Sequence, residues 1–396
     1  MAADGFCLPD DVLVQILLLI PASSRWPLRL VCKGWRSLID ERAAPGEKIP
    51  SKILVFINHG RSSSAVVFDA KNGRRTHKWT YTSSIGDDDD GSVHIVGTCN
   101  GLLCLHDGGS TSSAVKVTNP ITGDTLVLPP PVPTPPQFTD APGKYSFGFH
   151  PETRQHKVVY IPTSSRSGSA YTMSVDALRV FTVGGDTAWR SVPVPTPGAC
   201  DNLMCEPVSA AGCTYWLPSA SGRVMALDLK DERVTSFDLP PARPAMIPSA
   251  TRDRWWLTKI HARLGVVAAV GMPSQTRMEV WVRGGGGGKK KPGWSRRCSV
   301  VRKAASLWVM APQLRHGDCI LSASRDVWDW RRQGMRTRLF RHKVGDLMDG
   351  GDRGSRLLEP PKGTELVLRT EESEGELTTF AYVETTNPVP RATTSK

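Results

Sequence analysis

The sequence predicts a mainly β protein, with a small all-α module at the N-terminus followed by a β-propeller-like domain of six to eight blades. Three observations predict it. Helical periodicity is confined to the first forty residues. Beyond residue 50 the chain is a succession of short β-rich runs parted by Gly, Pro, Asn, Asp and Ser. Three of the connections repeat one pattern, a strand, a Pro turn, a Thr and another strand.

The helical element comes first. Leu13, Ile16, Leu17 and Ile20 recur at i, i+3, i+4 and i+7, the stripe of an amphipathic helix. Pro9 suits a first helical turn, Asp10 and Asp11 suit the positive end of the helix dipole, and Pro21 ends the run. Val12, Val14, Leu18 and Leu19 place further apolar groups on the other faces. A helix apolar most of the way round must be covered on several sides. A module of about forty residues is too small to supply that cover alone, so part of it is expected from another chain.

Residues 40–50, with Pro45, Gly46 and Pro50, read as a linker. The β-rich runs that follow are Ile53–Ile57, Ala65–Asp69, Leu102–His106, Val115–Thr118, Thr125–Leu128, Tyr145–Phe149, Lys157–Ile161 and Leu178–Val183. Later runs are Thr214–Leu217, Arg223–Leu229, Arg233–Leu239, Trp255–Ile260, Gly265–Val270, Met278–Val282, Cys319–Ser322 and Leu377–Val383. Arg223–Leu229 and Arg233–Leu239 flank a Lys230-Asp231-Glu232 turn and read as a hairpin. The repeated connections are Thr118–Gly123, Phe149–Arg154 and, more loosely, Gly271–Thr276. Hairpin units recurring over about 330 residues fit blades of about 40–50 residues each. Pro129–Pro136, Asp87–Asp90 and Gly284–Gly293 read as loops. The expected domains are 1–48 for the module with its linker, 52–385 for the β domain, and 386–396 as a flexible tail.

Composition narrows the function classes. At 39% hydrophobic and 22% charged the chain is globular, and no window of eighteen uninterrupted apolar residues predicts a membrane span. Nine scattered cysteines suggest reduced thiols in the cytoplasm or nucleus. The net charge of +12 is unevenly spread, because residues 283–343 hold sixteen Lys or Arg against three Asp. That segment is either a patch for an acidic partner such as nucleic acid or a solvated loop, and its Gly284–Gly288 and Lys289–Lys291 runs favour the loop.

In order along the chain stand Leu8-Pro9-Asp10-Asp11-Val12-Leu13, Ile16-Leu17, Ile20-Pro21, then Val31-Cys32-Lys33 and Trp35-Arg36-Ser37-Leu38-Ile39. This pattern resembles an F-box. It departs from the family at Leu18-Leu19, where an Arg is usual, and at Arg25-Trp26-Pro27, where a Leu-Leu-Arg run is usual. The remainder is similar to the propeller-type domain associated with many plant F-box proteins. That likeness rests on Val96–Cys104, Val117–Gly123, Phe147–Pro151 with Lys157–Val159, and Val280–Val282 with Trp294.

The resemblance implies a substrate-recognition subunit of an SCF-type (cullin–RING) ubiquitin ligase. Its helices would dock a Skp-family adaptor and its propeller would hold a target protein. Leu8, Pro9, Leu13, Ile16, Leu17, Ile20, Pro21, Val31, Cys32 and Trp35 form the expected adaptor-binding and module-forming set. No catalytic residues, cofactor, metal or membrane partner are expected. There is no Gly-x-Ser-x-Gly elbow, Walker loop or His-Glu-x-x-His. Cys200, Cys205 and Cys213 have spacers of four and seven residues and no nearby His, unlike a zinc site. The rival readings are nucleic-acid binding through 283–343 and a carbohydrate-binding or enzymatic propeller. Trp256 and Trp281 are expected in the core, while Trp328 and Trp330 fit either a core strand or a stacking surface.

Overall fold

The computed structural model describes residues 9–20, 28, 31–32 and 34–35, and most of 52–392. Within 52–392 it does not cover 70–72, 85–90, 109–112, 132–142, 164–176, 196–199, 201–202, 220, 243–254, 261–262, 273–274, 285–292, 304–307, 310–312, 317–318, 326–336, 344–364 and 370–375. At residues 10, 11 and 18 and over 269–278 and 298–376 the description is of backbone only.

Helix α1 spans Asp10–Leu19. Pro9 stands just outside it with ψ 143°, not in the first turn, and its carbonyl accepts the Val12 and Leu13 N–H groups at 3.0 and 3.1 Å. A proline there loses nothing, since its missing donor would have no helical acceptor.

The rest is β structure. β1 (Lys52–Asn58), β2 (Ser62–Phe68) and β3 (Arg75–Thr82) make an antiparallel sheet. β4 (Ser92–Cys99), β5 (Leu102–Gly108), β6 (Ser113–Thr118) and β7 (Thr125–Leu128) make a second. β8 (Lys144–His150), β9 (Gln155–Ile161), β10 (Ala177–Thr182) and β11 (Arg190–Pro193) make a third. The fourth holds β12 (Val208–Ala210), β13 (Cys213–Trp216), β14 (Arg223–Asp228) and β15 (Val234–Asp238). The fifth holds β16 (Trp255–Ile260), β17 (Arg263–Met272), β18 (Gln275–Arg283) and β19 (Trp294–Lys303). β20 (Trp308–Val309), β21 (Gln313–His316), β22 (Cys319–Arg325), β23 (Thr337–Lys343) and β24 (Glu365–Arg369) make the sixth. β25 (Glu376–Tyr382) then returns to pair with β1, Val55 opposite Thr379, and completes the first sheet.

β4, β8, β12, β16, β21 and β25 touch in that order, and β25 touches β4. The six sheets thus stand in a closed ring, the arrangement of a propeller. The first sheet stands between the second, which it meets through β4, and the sixth, which it meets through β21, and this explains why β1 is buried continuously from Ile53 to Ile57 instead of at alternate residues. The predicted hairpin is β14–β15, with Val224 opposite Phe237, and Val224 to Leu227 are likewise all buried.

All sixteen predicted runs overlap a strand, but nine strands were not expected: β3, β4, β11, β12, β19, β20, β21, β23 and β24. β3 shows one reason. As an outer strand it exposes Arg75, Thr76, Lys78, Thr80 and Thr82, and its inward residues His77, Trp79 and Tyr81 are only half-buried. The three repeated connections also occupy unlike places. Asn119–Asp124 joins the third and fourth strands of its sheet and Pro151–Arg154 the first and second, while the described ends of the Gly271–Thr276 copy belong to β17 and β18, the second and third. They mark hairpins, not a blade period. Trp255 is the buried member of its pair and Trp256 is half-buried, the reverse of the expectation, because Trp255 packs with Tyr215 and Leu264 between the fourth and fifth sheets. Trp281 is half-buried, and Trp328 and Trp330 lie outside the described residues.

The expected flexible tail is corrected over its first part. Val389 is 2% exposed and packs between the second and third sheets, and Asn387 and Arg391 are hydrogen-bonded to the second. Residues 393–396 lie outside the description.

Side-chain ties join neighbouring sheets. Ser63 Oγ donates to Val93 O at 2.7 Å, Ser146 and Ser209 hydroxyls pair at 2.9 Å, and Trp294 Nε1 donates to Asp238 O at 2.9 Å. Asp107 is the most heavily used. Its carboxylate accepts Ser83 Oγ at 2.6 Å, Ser84 N and Oγ at 3.0 and 2.7 Å, and Lys116 Nζ at 3.0 Å. Burial pushes its pKa up, but these donors outweigh burial and hold it at about 2. The folded value is depressed, so the stabilisation is complete above the unfolded pKa near 3.8 and is lost as pH falls toward 2. Asp107→Asn is therefore expected to cost about 2 kcal/mol at pH 7 and to flatten the loss of stability between pH 4 and 2, as read by urea unfolding at stepped pH.

Candidate functional site

α1 divides its apolar residues between two faces. Val14 and Leu17 are buried at 8% and 1% exposure, and Leu13, Ile20, Leu28 and Trp35 pack against them. Val12, Ile16 and Leu19 point outward at 42%, 40% and 85% exposure. Their spacing, i, i+4 and i+7, puts them in one row along the helix. Val31 lies 60% exposed in the following segment.

The single predicted stripe is thus two stripes. Leu13, Leu17 and Ile20 belong to the module's own core, whereas Ile16 belongs to the outer row. Trp35, in the expected adaptor-binding and module-forming set, packs against the Val14 and Leu17 core, and its backbone N–H meets Cys32 Sγ at 3.4 Å. Pro9, Val31 and Cys32 are exposed; Leu8 and Pro21 lie outside the described residues. Val12 and Leu19 were missing from the predicted set. The signal for them was present, since both break the polar face that an ordinary amphipathic helix keeps.

Apolar groups at this exposure gain by burial against a complementary surface. Taking a Val, Ile or Leu from full exposure to full burial is worth about 1.5–3 kcal/mol, and since Val12 and Ile16 are already more than half covered, the row of three supplies about 2–5 kcal/mol of gross binding energy. The row carries no titratable side chain and offers apolar contact surface.

The β domain enters this picture as a platform. Lys52, the first residue of β1, stands opposite Tyr382 at the end of β25, and Lys52 Nζ reaches Glu384 Oε1 at 2.5 Å. His77 Nε2 contacts the same oxygen at 2.8 Å. The strand that follows the helical module therefore begins on the ring edge where β25 ends.

Between the third and fourth sheets lies an ionic cluster. Lys157 Nζ, with its side chain 5% exposed, meets Glu232 Oε1 at 2.7 Å, Glu232 also pairs with Arg190, and Arg190 pairs with Asp186. Burial raises the Glu232 pKa, but the bonds from Lys157 and Arg190 outweigh it and leave the carboxyl below its usual range. Pro193, Pro195, Asp231, Glu232, Arg233 and Val234 line a shallow cavity of about 340 Å³ beside this cluster.

No group of three or more His, Cys, Asp or Glu able to hold a metal occurs among the described residues. Cys200 is fully buried, and burial pushes the Cys205 thiol up to about 12. Within the basic segment the described side chains do cation–π and ion-pair work. The Arg283 guanidinium lies 3.1 Å from the centroid of the Phe237 ring, and Arg296 meets Glu279 at 3.1 Å. Side chains over 298–343 lie outside the description.

Comparison with known proteins agrees with this two-part organisation. The F-box domain family matches residues 6–43, and the family described as F-box associated beta propeller domain matches residues 52–323. F-box protein At3g07870 of Arabidopsis thaliana is 25% identical over 319 residues, covering 74% of this chain and 72% of that protein. The F-box/kelch-repeat protein At4g19930 of Arabidopsis thaliana is 24% identical over 330 residues, 78% of this chain and 73% of the relative. Putative F-box protein At1g33530 of Arabidopsis thaliana is 25% identical over 246 residues, 59% of this chain and half of the relative's length. With the second match spanning most of its length behind an N-terminal F-box, the chain belongs to the F-box proteins that carry an F-box associated β-propeller domain.

Proposed function

We propose that this chain is the substrate-recognition subunit of an SCF-type ubiquitin ligase. Its helical module docks a Skp-family adaptor, and through it a cullin–RING complex, while the six-sheet ring holds a target protein. The observation that carries the reading is the row Val12, Ile16 and Leu19, exposed on a helix whose opposite face already builds the module's core. In this reading Leu8, Pro9, Ile16, Pro21, Val31 and Cys32, joined by Val12 and Leu19, contact the adaptor. Leu13, Leu17, Ile20 and Trp35 shape the module that presents them.

The chain performs no covalent chemistry and uses no cofactor in this account. It acts by proximity, raising the effective concentration of target lysines near a ubiquitin-charged conjugating enzyme. Such a role carries with it a cytoplasmic or nuclear location.

Ile16→Asp with Leu19→Asp is expected to weaken adaptor binding at least 100-fold, about 2.7 kcal/mol, in a calorimetric titration. Both side chains are exposed, so urea unfolding of the β domain should not move. Unchanged adaptor affinity in the double variant would overturn the docking reading.

A further inference from the structure

We propose that residues 385–391 occupy a peptide-binding groove of the β domain, and that a protein segment of the same chemistry binds there in trans. That chemistry is a β-branched residue between two prolines, with an arginine two positions after it. The groove is remote in sequence from α1 and goes beyond the docking reading. Its test uses no adaptor, so the two stand or fall separately.

The groove is built from four features. Val389 packs with Leu102, Val117, Leu128, Phe147, Phe181 and Val183, side chains of the second and third sheets and their connections. Beside that pocket, Asp124 Oδ2 accepts the Val389 N–H at 2.8 Å, and Asp124 Oδ1 accepts Arg391 at 2.6 Å. Asn119, fully buried, donates from Nδ2 to Thr385 O at 3.0 Å and to Asn387 O at 2.7 Å. Gly184, at φ +80°, leaves the room that Pro390 fills, where a Cβ would approach the proline ring carbon to 2.6 Å. One carboxylate thus reads both a main-chain N–H and a guanidinium, an apolar pocket reads the side chain between them, and a carboxamide reads two carbonyls upstream.

The occupying segment is held differently from a strand. Among the described strand pairings none involves 383–391. Pro388 and Pro390 have no N–H and could not extend a ladder. Its release breaks no sheet hydrogen bond and leaves the β25–β1 pairing whole. Within one chain it competes at millimolar effective concentration, so an outside segment gains the groove when it binds better or when the resident segment is weakened.

The experiment is fluorescence anisotropy with a labelled peptide, Glu-Thr-Thr-Asn-Pro-Val-Pro-Arg-Ala, the sequence of 384–392, added to the full chain. Val389→Asp in the chain ejects the resident segment. Arg391→Glu, at an exposed side chain, serves as the milder second variant if the first does not fold. The expected result is saturable binding to either variant, at least tenfold tighter than to the unmodified chain. Adding Asp124→Ala to the variant, or replacing the peptide's arginine with glutamate, should lower affinity at least tenfold. Equal binding by variant and unmodified chain, or no binding by a folded variant, would overturn the proposal.

Discussion

Asn119→Ala lowers the stability of the β domain by about 2–3 kcal/mol. The side chain is fully buried and saturated. It donates to Thr385 O and Asn387 O, and its Oδ1 accepts the Ile121 N–H at 2.9 Å. Each bond lost costs about 1 kcal/mol, and buried groups left without partners add to that. Asn119→Asp is expected to be at least as damaging, because a carboxylate would face two carbonyl oxygens with nothing to donate. Urea unfolding followed by Trp fluorescence measures both. A loss under 0.5 kcal/mol for the Ala variant would show that the clasp contributes nothing to stability.

The second large effect is expected at Glu232. Removing its carboxylate leaves Lys157 buried without a counter-charge, and breaking a buried pair in this way costs about 3–5 kcal/mol. Arg190 suffers less, being more exposed and still paired with Asp186. Glu232 also sits at φ +52°, a left-handed conformation that costs a residue with a Cβ about 1 kcal/mol. Glu232→Ala keeps that strain and loses the charge, whereas Glu232→Gly loses both. The Gly variant is therefore expected to be about 1 kcal/mol more stable than the Ala variant. Lys157→Met combined with Glu232→Ala should recover most of the loss, since no lone charge then remains. Chemical denaturation of the four proteins checks the order.

Much of this was legible in the residues. The Asn100-Gly101 pair marks a turn in the sequence, and both residues adopt positive φ there, 50° and 84°. Lys230-Asp231-Glu232 reads as a turn and is one. The apolar excess on α1 was plain, although a single period of 3.6 fits two adjacent stripes, 13-17-20 and 12-16-19. Only the packing of Leu28 and Trp35 decides which faces inward. The polar outer strand β3 stayed hidden because half of it is solvent-facing and its other half is only partly covered.

What local pattern could not carry is long-range pairing. Asn119 was recognisable as a turn residue, but its partners lie 266 and 268 positions away. Val389 looks like part of a Pro-rich tail until the pocket for it is assembled from two sheets. Glu232 likewise takes its ionic partners from Lys157 and Arg190 on a neighbouring sheet. The ring itself closes through β25 and β1, more than 300 residues apart.

In the proposed function the outer row of α1 is the docking face and the ring is a separate platform. Amide hydrogen exchange of the full chain, with and without a saturating Skp-family adaptor, tests it most directly. New protection is expected within residues 9–35, greatest along α1, with exchange in the six sheets unchanged. Protection spread over the sheets with none on α1, or no change anywhere at saturation, would contradict it.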